Sequence, residues 1–506
     1  MNRTSLASGM LNVEVAGAPL DRRLVAQLWE AHVFQALSVP SLAEISLSGA
    51  EVNPDQLADT FPLGTALRLA TGSPARELFH GEVTATTFEA GDGKAPAFRV
   101  RAYDKLQRLR QKHSARAFVE IDLAGLAAEL TTGLGLTVAG ETGPVWPRLI
   151  QHGQSDFALL EKCASHCGRF FSLHESELLF LSAEGVGEPA PAVLGSNLRE
   201  VSVTSNSDRA WHEVTASGWN AHLCKSFTAT ASPTGSVPGA DTVPATEAAS
   251  QILGQTMATD GHVKALAQSE ANRRRAASLH LRGVADGNPD LRPGKRVALE
   301  GAGLSLAGEY LIASAHHRFD SLQGYTTMID SKPPDLPQRA SQELPSTVTM
   351  PGQVVRVDDP EGLGRIRVLL PTLGEVESDW MPVVLPALGK DKGMIALPDV
   401  GDRVLVLCPG GDPSFGVVLG GLPGADHHSD PGVGKDGIAR YQFGTAGGQK
   451  LVLDAEKKRL KLENTHGGSL TMQPGGVQLA SYGPLLIQAP GQTITIRAKA
   501  IQFEEG

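Results

Sequence analysis

Most of the first 330 residues consist of short runs in which hydrophobic and polar side chains alternate. Examples are SLAEISLSG, HGEVTATTFEA and AFRVRAYD, which end at or near a glycine or an aspartate. Alternation with a period of two places every second side chain on the same face of a β-strand, so that one face can be buried. This part of the chain is therefore predicted to be mainly β.

Four segments interrupt this pattern with hydrophobic residues at helical spacing. They are predicted to be helices and are DKLQRLRQK, DLAGLAAELTTGLGL, SDFALLEKCASHCG and residues 261–278. The first of them is the only helix that the pattern indicates within residues 11–120. In the third, Ser155 or Asp156 can cap the amino terminus, and Gly168 can end the helix because glycine accepts a left-handed conformation.

Residues 347–423 contain five short strand patterns that glycines and prolines separate. QVVRV and GRIRVLL surround a turn, and SDWMPVVLP, GMIALPDVGDRVLVL and FGVVLGGL follow. Five short antiparallel strands in a segment of this length indicate a small OB-type barrel. Its turns are expected where glycine or proline lets the backbone reverse, or where a carboxylate can bond nearby backbone. The predicted turn residues are Gly362, Gly364, Pro398, Gly401, Asp402 and Gly420.

The last segment, residues 441–506, is made of short alternating runs without any helical pattern. Its chain turns about every eight residues, and such repeating β units need stacked neighbours or partner chains to cover their apolar faces. We therefore expect a β-helical needle that a single copy of the chain cannot close. The predicted apolar interior contains Leu451, Leu460, Leu470, Ile494, Ile496 and Phe503.

Polar segments rich in proline or glycine separate these parts. Residues 331–346 contain four prolines and are predicted to be a linker. Residues 424–440 are a polar connector, and residues 229–250 are predicted to be an exposed loop. The predicted order is a hub region over 1–330, then the linker, the barrel, the connector and the needle.

Composition and charge narrow the possible functions. The net charge of −10 disfavours a broad nucleic-acid-binding surface. Four cysteines in 506 residues do not make a disulfide scaffold. The start of the chain lacks the apolar core of a signal peptide, and no apolar run of about 18 residues occurs. Cytoplasmic synthesis and assembly without a signal peptide are therefore expected.

The barrel region resembles the spike barrel of VgrG proteins, which are trimeric spikes of type VI secretion systems. The shared pattern is Asp-Pro-x-Gly-x-Gly-Arg, then Ser-Asp-Trp, Pro-x-Val-Gly-Asp, Gly-Asp-Pro and Val-x-Gly-x-Leu. The matching residues are Asp359, Pro360, Gly362, Gly364, Arg365, Trp380, Pro398, Gly401, Asp402, Gly411, Asp412, Pro413 and Gly420. Upstream, NPDLRPGKRVALEGAG and GEYLIASAHHRFD are similar to the hub of phage late-control-D proteins. The short tail resembles the spikes of extracellular or phage-tail-like injection systems.

This resemblance implies an architecture and a set of partners. Residues 1–330 would form two barrel-like hub domains, and the tail would belong to an intertwined trimeric β-helix. Two hub domains in each of three chains would present six similar units to a six-fold tube. The implied partners are an inner tube protein, baseplate proteins, a PAAR-like tip and effector cargo, and the target membrane would be contacted only on injection. The tip is expected to contact Ile501, Phe503 and Glu504.

The resulting prediction is a structural, non-enzymatic homotrimeric spike or hub protein without a cofactor, which connects an inner tube to a membrane-piercing tip within an injection particle. Two alternatives stay open: a spike with cell-wall lytic activity, and an OB-type nucleic-acid-binding protein. The sequence contains no G-x-S-x-G, H-E-x-x-H or phosphate-loop motif. Trp380 and Phe415 are too few aromatic residues for a strand-binding platform.

One helix carries a candidate metal site, at Cys163, His166 and Cys167. Cysteines four residues apart can share a helix face, but no second pair of ligands has a matching spacing. Two small buried cysteines that pack the helix against a sheet are the favoured interpretation. Arg273–Arg275 are interpreted as a solvated helix face rather than a nucleic-acid patch.

Two histidine pairs are further candidate metal ligands. His316 and His317 are expected at a strand end, where adjacent side chains point to opposite faces and cannot bind one ion together. His427 and His428 are expected in a solvated turn of the connector. Whether an ion lies near them on a three-fold axis stays open.

Overall fold

The computed structural model describes residues 10–49, 52–92, 94–207, 213–220, 224–234, 250–256, 259–303, 306–334, 347–424 and 430–504. The chain divides into two compact units, Met1–Leu422 and Pro423–Gly506. The predicted mainly β fold is confirmed. Most of the predicted loop and linker, and part of the connector with His427 and His428, lie outside the described residues.

The hub region is built mainly from short strands. They are β1 Asn12–Val15, β2 Ala18–Pro19, β3 Leu28–Ala36, β4 Val39–Ser48, β5 Ala66–Thr71, β6 Arg76–Gly91, β7 Lys94–Tyr103, β8 His113–Ile121, β9 Thr137–Gly140, β10 Trp146–Ser155, β11 Phe170–His174, β12 Glu177–Leu181, β13 Val186–Val193, β14 Leu198–Ser205, β15 Val214–Asn220, β16 Lys225–Ala231, β17 Ser250–Thr256, β18 Leu279–Asp286, β19 Lys295–Glu300, β20 Gly308–Leu311, β21 Ser314–Asp320 and β22 Gly324–Asp330. Helices lie between some of these strands. They are α1 Arg22–Val25, α2 Pro54–Thr60, α3 Gln107–Gln111, α4 Leu123–Leu130, α5 Asp156–His166 and α6 Asp260–Ser278.

One sheet of 11 strands runs through the hub, in the order β14-β18-β22-β21-β3-β4-β7-β6-β5-β1-β2. Its centre is the antiparallel pair of β21 and β3, which aligns Ser314 with Ala36 and Asp320 with Glu30. This pair joins strands from the first hundred residues to strands that follow residue 198. The early and late parts of the hub therefore share a continuous sheet.

A second hub core lies between the helices α3, α4 and α5 and the strands β8 to β12. The predicted start of α5 is present, because Ser155 Oγ accepts the backbone N–H of Ala158 at 3.2 Å. Gly168, with φ +69°, follows the end of the helix. The predicted hairpin after it is β11 paired antiparallel with β12.

The prediction of a single helix within residues 11–120 was wrong. Two further helices, α1 and α2, are present there. Asn53 caps α2 by accepting the backbone N–H groups of Asp55 and Gln56, and Pro54 occupies the first turn. Asn followed by Pro is a recognisable start signal for a helix, but α2 is too short to show a clear hydrophobic period.

The barrel forms a five-stranded sheet in the order β25-β24-β23-β26-β27. Its strands are β23 Val348–Arg356, β24 Arg367–Leu370, β25 Val376–Glu377, β26 Arg403–Cys408 and β27 Val417–Gly421. Short 3₁₀ turns cover Pro371–Leu373, Pro409–Gly411 and Pro413–Phe415. Two of the predicted stretches are only partly strands or not strands. SDWMPVVLP makes isolated bridges at Met381 and Val383. In GMIALPDVGDRVLVL, the part RVLVL lies in β26, whereas GMIALP pairs with no strand of the described chain.

The second unit contains a small hairpin and an antiparallel sheet of five strands. The hairpin is β28 Val433–Gly434 and β29 Gly437–Ile438. The sheet, which we call the needle sheet, follows chain order and consists of β30 Arg440–Gly444, β31 Lys450–Asp454, β32 Arg459–Glu463, β33 Ser469–Gln473 and β34 Gly476–Ala480. Residues 481–504, which we call the terminal segment, contain no strand in the described chain.

Candidate functional site

Two strands of the hub lie directly between the hub and the barrel. β8 and β10 pair antiparallel, with Leu149 opposite Phe118 and Ile150 opposite Ala117. Leu149 and Phe118 belong to the second hub core, whereas Ile150 belongs to the barrel core and Ala117 packs against it. Because side chains alternate along a strand, this two-stranded junction sheet serves as a wall of both cores.

A buried ion pair ties the barrel to the hub beside this junction sheet. Lys162 Nζ on α5 lies 2.7 Å from Asp412 Oδ2 of the barrel, and the Asp412 side chain is buried. Burial alone would raise the pKa of Asp412, but the charge and hydrogen bond of Lys162 hold it below its ordinary value. Asp412 Oδ1 also accepts the backbone N–H of Ser414 at 2.9 Å, and Ser414 Oγ accepts the backbone N–H of Ile150 at 2.8 Å. The loop of the Gly-Asp-Pro motif is thus hydrogen-bonded to the hub.

A second contact joins the hub to the far side of the barrel. The guanidinium of Arg148 on β10 donates to the backbone carbonyl of Glu377 on β25. Burial, followed by the nearby charge of Arg367, lowers the pKa of Arg148. Arg367 in turn pairs with the Glu377 carboxylate at 2.9 Å and lies over the ring of Trp380 at 4.9 Å. Charged contacts therefore hold the barrel at two separate places.

The junction sheet is itself anchored to the start of α5. Asp156 is fully buried and pairs with Arg116 of β8 at 3.1 Å. Gln151 of β10 donates from Nε2 to Asp156 Oδ1 at 2.8 Å and accepts from Arg116 Nε at 3.0 Å. A closed network of this kind fixes both strands against the helix that carries Lys162.

Five of the predicted turn residues lie in the loops after β23 and before β26, whereas Gly420 lies within strand β27, where it pairs with Leu405 beside an irregularity of the register. Gly362, Gly364, Gly401 and Gly420 have φ values of +66°, +72°, +93° and +152°, a region that favours glycine. Pro398 opens the turn before β26, in which Asp402 Oδ2 accepts the backbone N–H of Asp399 at 2.8 Å. In the turn after β23, the Asp359 carboxylate bonds Arg365, which lowers the pKa of Asp359 strongly.

The needle sheet has one face made entirely of hydrophobic side chains. Cross-strand pairing aligns Leu451 with Leu462, Leu462 with Leu470, and Leu470 with Leu479. Every second residue of all five strands lies on this apolar face, which comprises Tyr441, Phe443, Leu451, Leu453, Leu460, Leu462, Leu470, Met472, Val477 and Leu479. Nothing in the described chain covers it completely, and Val477 is 69% exposed. The predicted interior residues Leu451, Leu460 and Leu470 all lie on this face.

The terminal segment is extended and mostly exposed. Among its described residues, the backbone–backbone hydrogen bond is the one from Gln492 N–H to the Ala489 carbonyl. Ile494, Ile496 and Phe503 are 49%, 68% and 94% exposed, and Ile501 and Glu504 are exposed as well. Since these residues do not pair within the chain, the structure of a single chain does not bring the predicted interior and tip-contacting residues together.

Both cysteines of the candidate metal site are buried in the second hub core. Burial raises the pKa of both thiols, that of Cys167 to about 12, so Cys163 and Cys167 are protonated at neutral pH. Within the described ranges, no group of three or more His, Cys, Asp or Glu side chains is placed to hold a metal ion. In the same residues, no helix combines the length and the hydrophobicity needed to cross a bilayer.

His316 and His317 lie in the middle of β21 and not at a strand end, as was predicted. They do point to opposite faces of the sheet. The ring of His316 stacks on Phe34 with a centroid distance of 4.0 Å and bonds His32 at 2.8 Å. His317 is buried and bonds Thr327 Oγ1 at 3.1 Å.

A different buried histidine, His262 on α6, gives the hub a pH-dependent stability. Its ring lies against Trp146 and bonds Thr259 at 2.7 Å, and burial lowers the pKa of His262 to about 4. The unfolded chain, with an ordinary histidine pKa near 6.5, takes up the proton first as the pH falls. His262 therefore costs no stability above pH ~6.5, and stability decreases by up to about 3 kcal/mol between pH ~6.5 and ~4.

Urea unfolding of the full chain across this pH range tests the effect of His262. A His262→Leu variant replaces the titrating ring by an apolar side chain of similar length. The unfolding free energy of this variant should therefore depend less on pH. Equal slopes for the two proteins would show that the pKa of His262 is the same in the folded and in the unfolded chain, which contradicts the expected effect of burial.

Models of known protein families match two large parts of the chain, the hub region and the barrel. A family model described as the Alg8 N-terminal domain matches residues 10–321, which is more than half of the chain. The chain belongs to this Alg8 N-terminal domain family. A second model, described as the OB domain of the type VI secretion system and phage-baseplate injector, matches residues 350–422 and confirms the predicted OB barrel. No curated protein matches the sequence.

Solved structures show the fold to which this Alg8-family chain is similar. A chain of the PdpA–VgrG complex from Francisella has a TM-score of 0.55 at 8% identity, covering 94% of this chain and 88% of that chain. The E. coli c3393 protein, a component of the type VI secretion system, has a TM-score of 0.51 at 15% identity, covering 81% and 99%. The 43 kDa tail protein of Shewanella oneidensis prophage MuSo2 has a TM-score of 0.50 at 15% identity, covering 63% and 97%. The predicted VgrG-like spike fold is thereby confirmed.

Sequence reasoning missed most of the junction in this Alg8-family chain. Asp412 was identified as part of a motif, but its partner Lys162 is 250 residues away along the chain. Arg148 and Arg116 carried no motif at all. A usable signal was present in β10, where the hydrophobic residues Leu149 and Ile150 are adjacent, which indicates a strand covered on both faces.

Proposed function

We propose that the chain is a structural, non-enzymatic spike or hub protein of a contractile injection particle, and that it works as a homotrimer. The observation that carries this proposal is the apolar face of the needle sheet, which is uncovered in a single chain. Soluble proteins rarely leave a face of ten neighbouring hydrophobic side chains exposed to water. Three copies arranged around one axis would turn these faces inward and remove them from solvent.

The terminal segment supports the same arrangement. Most backbone groups of its described residues have no hydrogen-bond partner, and strands from neighbouring copies would supply partners. In this proposal Ile494, Ile496 and Phe503 join the common interior, and Ile501, Phe503 and Glu504 at the end contact a PAAR-like tip protein. The paired backbone of such a needle leaves little that can unfold locally, which suits transmission of force to a target membrane.

The hub is proposed to bind the inner tube and the surrounding baseplate proteins. Its central sheet joins strands from two parts of the sequence across the β21–β3 pair, so each chain can present two related surfaces. Three chains would then present six such surfaces to a six-fold tube. The domain boundaries 1–330, 347–423 and 441–506 belong to this proposal. Because the similar Francisella chain is part of a PdpA–VgrG complex, we include a cargo or lid protein among the proposed partners.

The mass of the full chain in solution tests the proposal. Sedimentation velocity at several protein concentrations should give the mass of three chains. A folded monomer with a protected needle sheet, at concentrations up to the solubility limit, would contradict it. A peptidoglycan-degradation assay on the same sample tests the lytic alternative, and we expect no activity.

Replacing Ile494 by glutamate should prevent the terminal segment from joining the trimer. A carboxylate placed among apolar side chains of three copies loses its hydration without gaining a partner. We expect Ile494→Glu to leave the terminal segment sensitive to limited proteolysis and to weaken the trimer. Thr495→Glu is the matched control, because adjacent strand residues point to opposite faces. Equal trimer stability in the two variants would argue against an interior position for Ile494.

A further inference from the structure

A small cavity in the hub lies between strands β3 and β11 and the loop that leads into β19. It encloses about 50 Å³, which is enough for a few water molecules or for one ion of the size of phosphate. Its lining includes Gln35 of β3, Ser172 of β11, Arg292 of the loop and Lys295 at the start of β19. The proposed function uses none of these residues, so the cavity is open to a separate role.

Arg292 is the residue that most clearly indicates a ligand for this cavity. Its guanidinium is partly buried, and burial, followed by the charge of Arg76, lowers the pKa of Arg292. Among the described residues, this side chain has no hydrogen-bond acceptor, no carboxylate within ion-pair distance and no aromatic ring as a partner. A guanidinium carries five N–H donors, and burying it without acceptors costs free energy. An acceptor that enters the cavity would remove this cost.

The charges around the cavity favour an anion. Asp290 is the acidic residue of the same loop, and its carboxylate already forms a double ion pair with Arg76 of β6, in which Nη1 and Oδ2 lie 2.7 Å apart. The hydrogen bonds from Arg76 lower the pKa of Asp290, and the charge of Lys295 lowers it further. In the part of the chain that the structure describes, Lys295 has no carboxylate within ion-pair distance. Arg76, Arg292 and Lys295 therefore leave a net positive charge beside Asp290.

One carboxylate, that of Glu177, also lines the cavity and opposes the binding of an anion. Glu177 is exposed to solvent, where its charge is screened, and it forms an ion pair with neither Arg292 nor Lys295. The effect of Glu177 is therefore smaller than the combined effect of the two cations.

Two neutral groups of the lining narrow the class of anion. The Ser172 hydroxyl has no hydrogen-bond partner within the described ranges and can donate to an oxyanion. The Gln35 amide donates from Nε2 to the Leu78 carbonyl at 2.8 Å, and its buried Oε1 accepts from no donor of the described chain. Inorganic phosphate keeps at least one proton at neutral pH, and this O–H can donate to Gln35 Oε1. Sulfate has no such proton and would leave Oε1 unpaired.

We propose that this cavity is a binding site for inorganic phosphate. Arg292 and Lys295 supply the positive charge, and hydrogen bonds from a guanidinium to phosphate oxygens are among the strongest in proteins. Ser172 donates a further hydrogen bond, and Gln35 Oε1 accepts one from the protonated oxygen of the ligand. The bound ion connects β3, β11 and the loop 287–294 within one chain, so this site does not rest on the proposed trimer.

Isothermal titration calorimetry of the full chain tests the site, with inorganic phosphate as the titrant and chloride holding the ionic strength constant. We expect one phosphate ion per chain, and Arg292→Gln should weaken binding at least about tenfold because it removes the charged donors. Arg199→Gln is the matched control, because it removes the same charge from a surface ion pair with Asp286 and should leave binding unchanged. Equal binding by both variants, or no binding by the unmodified chain up to about 10 mM phosphate, would overturn the proposal.

Sulfate in the same titration tests the role of Gln35. The unmodified chain should bind sulfate at least about tenfold more weakly than phosphate, because sulfate cannot donate to Gln35 Oε1. Gln35→Met should remove most of this preference. Equal affinities of the unmodified chain for the two anions would overturn the assignment of the ligand as phosphate.

Thermal unfolding in phosphate-free buffer separates a lost ligand site from a damaged fold. Arg292→Gln should unfold at the same temperature as the unmodified chain or at a higher one, because Arg292 has no partner in the described chain to lose. A clearly lower unfolding temperature would show that Arg292 stabilises the fold without a ligand, and would contradict its role as a phosphate ligand.

Discussion

Replacing Leu470 by glutamate is expected to convert the proposed trimer into monomers while the hub and barrel stay folded. Leu470 lies on the apolar face of the needle sheet, paired with Leu462 on one side and Leu479 on the other. In a trimer, one substitution places three carboxylates around the same axis. Each would lose hydration and repel the other two, at a cost of at least several kcal/mol. Sedimentation velocity measures the loss of the trimer directly.

Thr471→Glu is the matched control for this experiment. Thr471 follows Leu470 in β33 and aligns with Lys461 and Gln478, so it lies on the polar face of the same sheet. The control should therefore remain trimeric at the concentrations where Leu470→Glu dissociates. If both variants stayed trimeric, the apolar face of the needle sheet would not be the subunit interface.

Replacing Asp412 by alanine is expected to destabilise the joint between the hub and the barrel by about 2 kcal/mol. The substitution removes a buried carboxylate that accepts the Ser414 N–H, and it leaves Lys162, whose side chain is 35% exposed, without its partner. Hydrogen bonds to charged groups contribute more to stability than those between neutral groups. Urea unfolding followed by intrinsic fluorescence should show a lower midpoint.

The pair of Arg199 and Asp286 provides a control of the same chemistry at the surface. Its atoms lie 2.7 Å apart, as in the junction, but both side chains are about half exposed. Asp286→Ala should therefore change the unfolding free energy by less than about 1 kcal/mol. Similar effects of Asp412→Ala and Asp286→Ala would mean that the Lys162–Asp412 pair is not a mechanical link between hub and barrel.

Long helices and strands with a clear hydrophobic period could be predicted from the sequence. Helix α5 and the hairpin after it follow from a capping serine, a hydrophobic stripe and Gly168, all of which act within a few residues. Helix α2 was missed because seven residues are too few to show a period. The prediction of a strand at GMIALP failed for another reason. The alternation of its side chains suits a strand, but no strand of the described chain pairs with it.

In the candidate sites too, only the features that depend on a local pattern could be predicted from the sequence. Alternation in the tail was sufficient to place Leu451, Leu460 and Leu470 on one face, because pairing in a meander preserves the period of two. The motif Gly-Asp-Pro identified Asp412 but not its role. The ion pair with Lys162 depends on the approach of two segments that are far apart in sequence, which local patterns do not specify.

The sequence by itself determined the long strands and helices with a clear hydrophobic period, most of the turns at glycine and proline, and the apolar face of the needle sheet. These properties depend on side-chain size, polarity and backbone preference within a few residues of each position. Only the tertiary structure decided that β3 pairs with β21, that Ile150 contributes to the barrel core and that Lys162 meets Asp412. Each of these contacts is selected by the packing of whole elements, and packing depends on the shape of the assembled surfaces rather than on any local pattern.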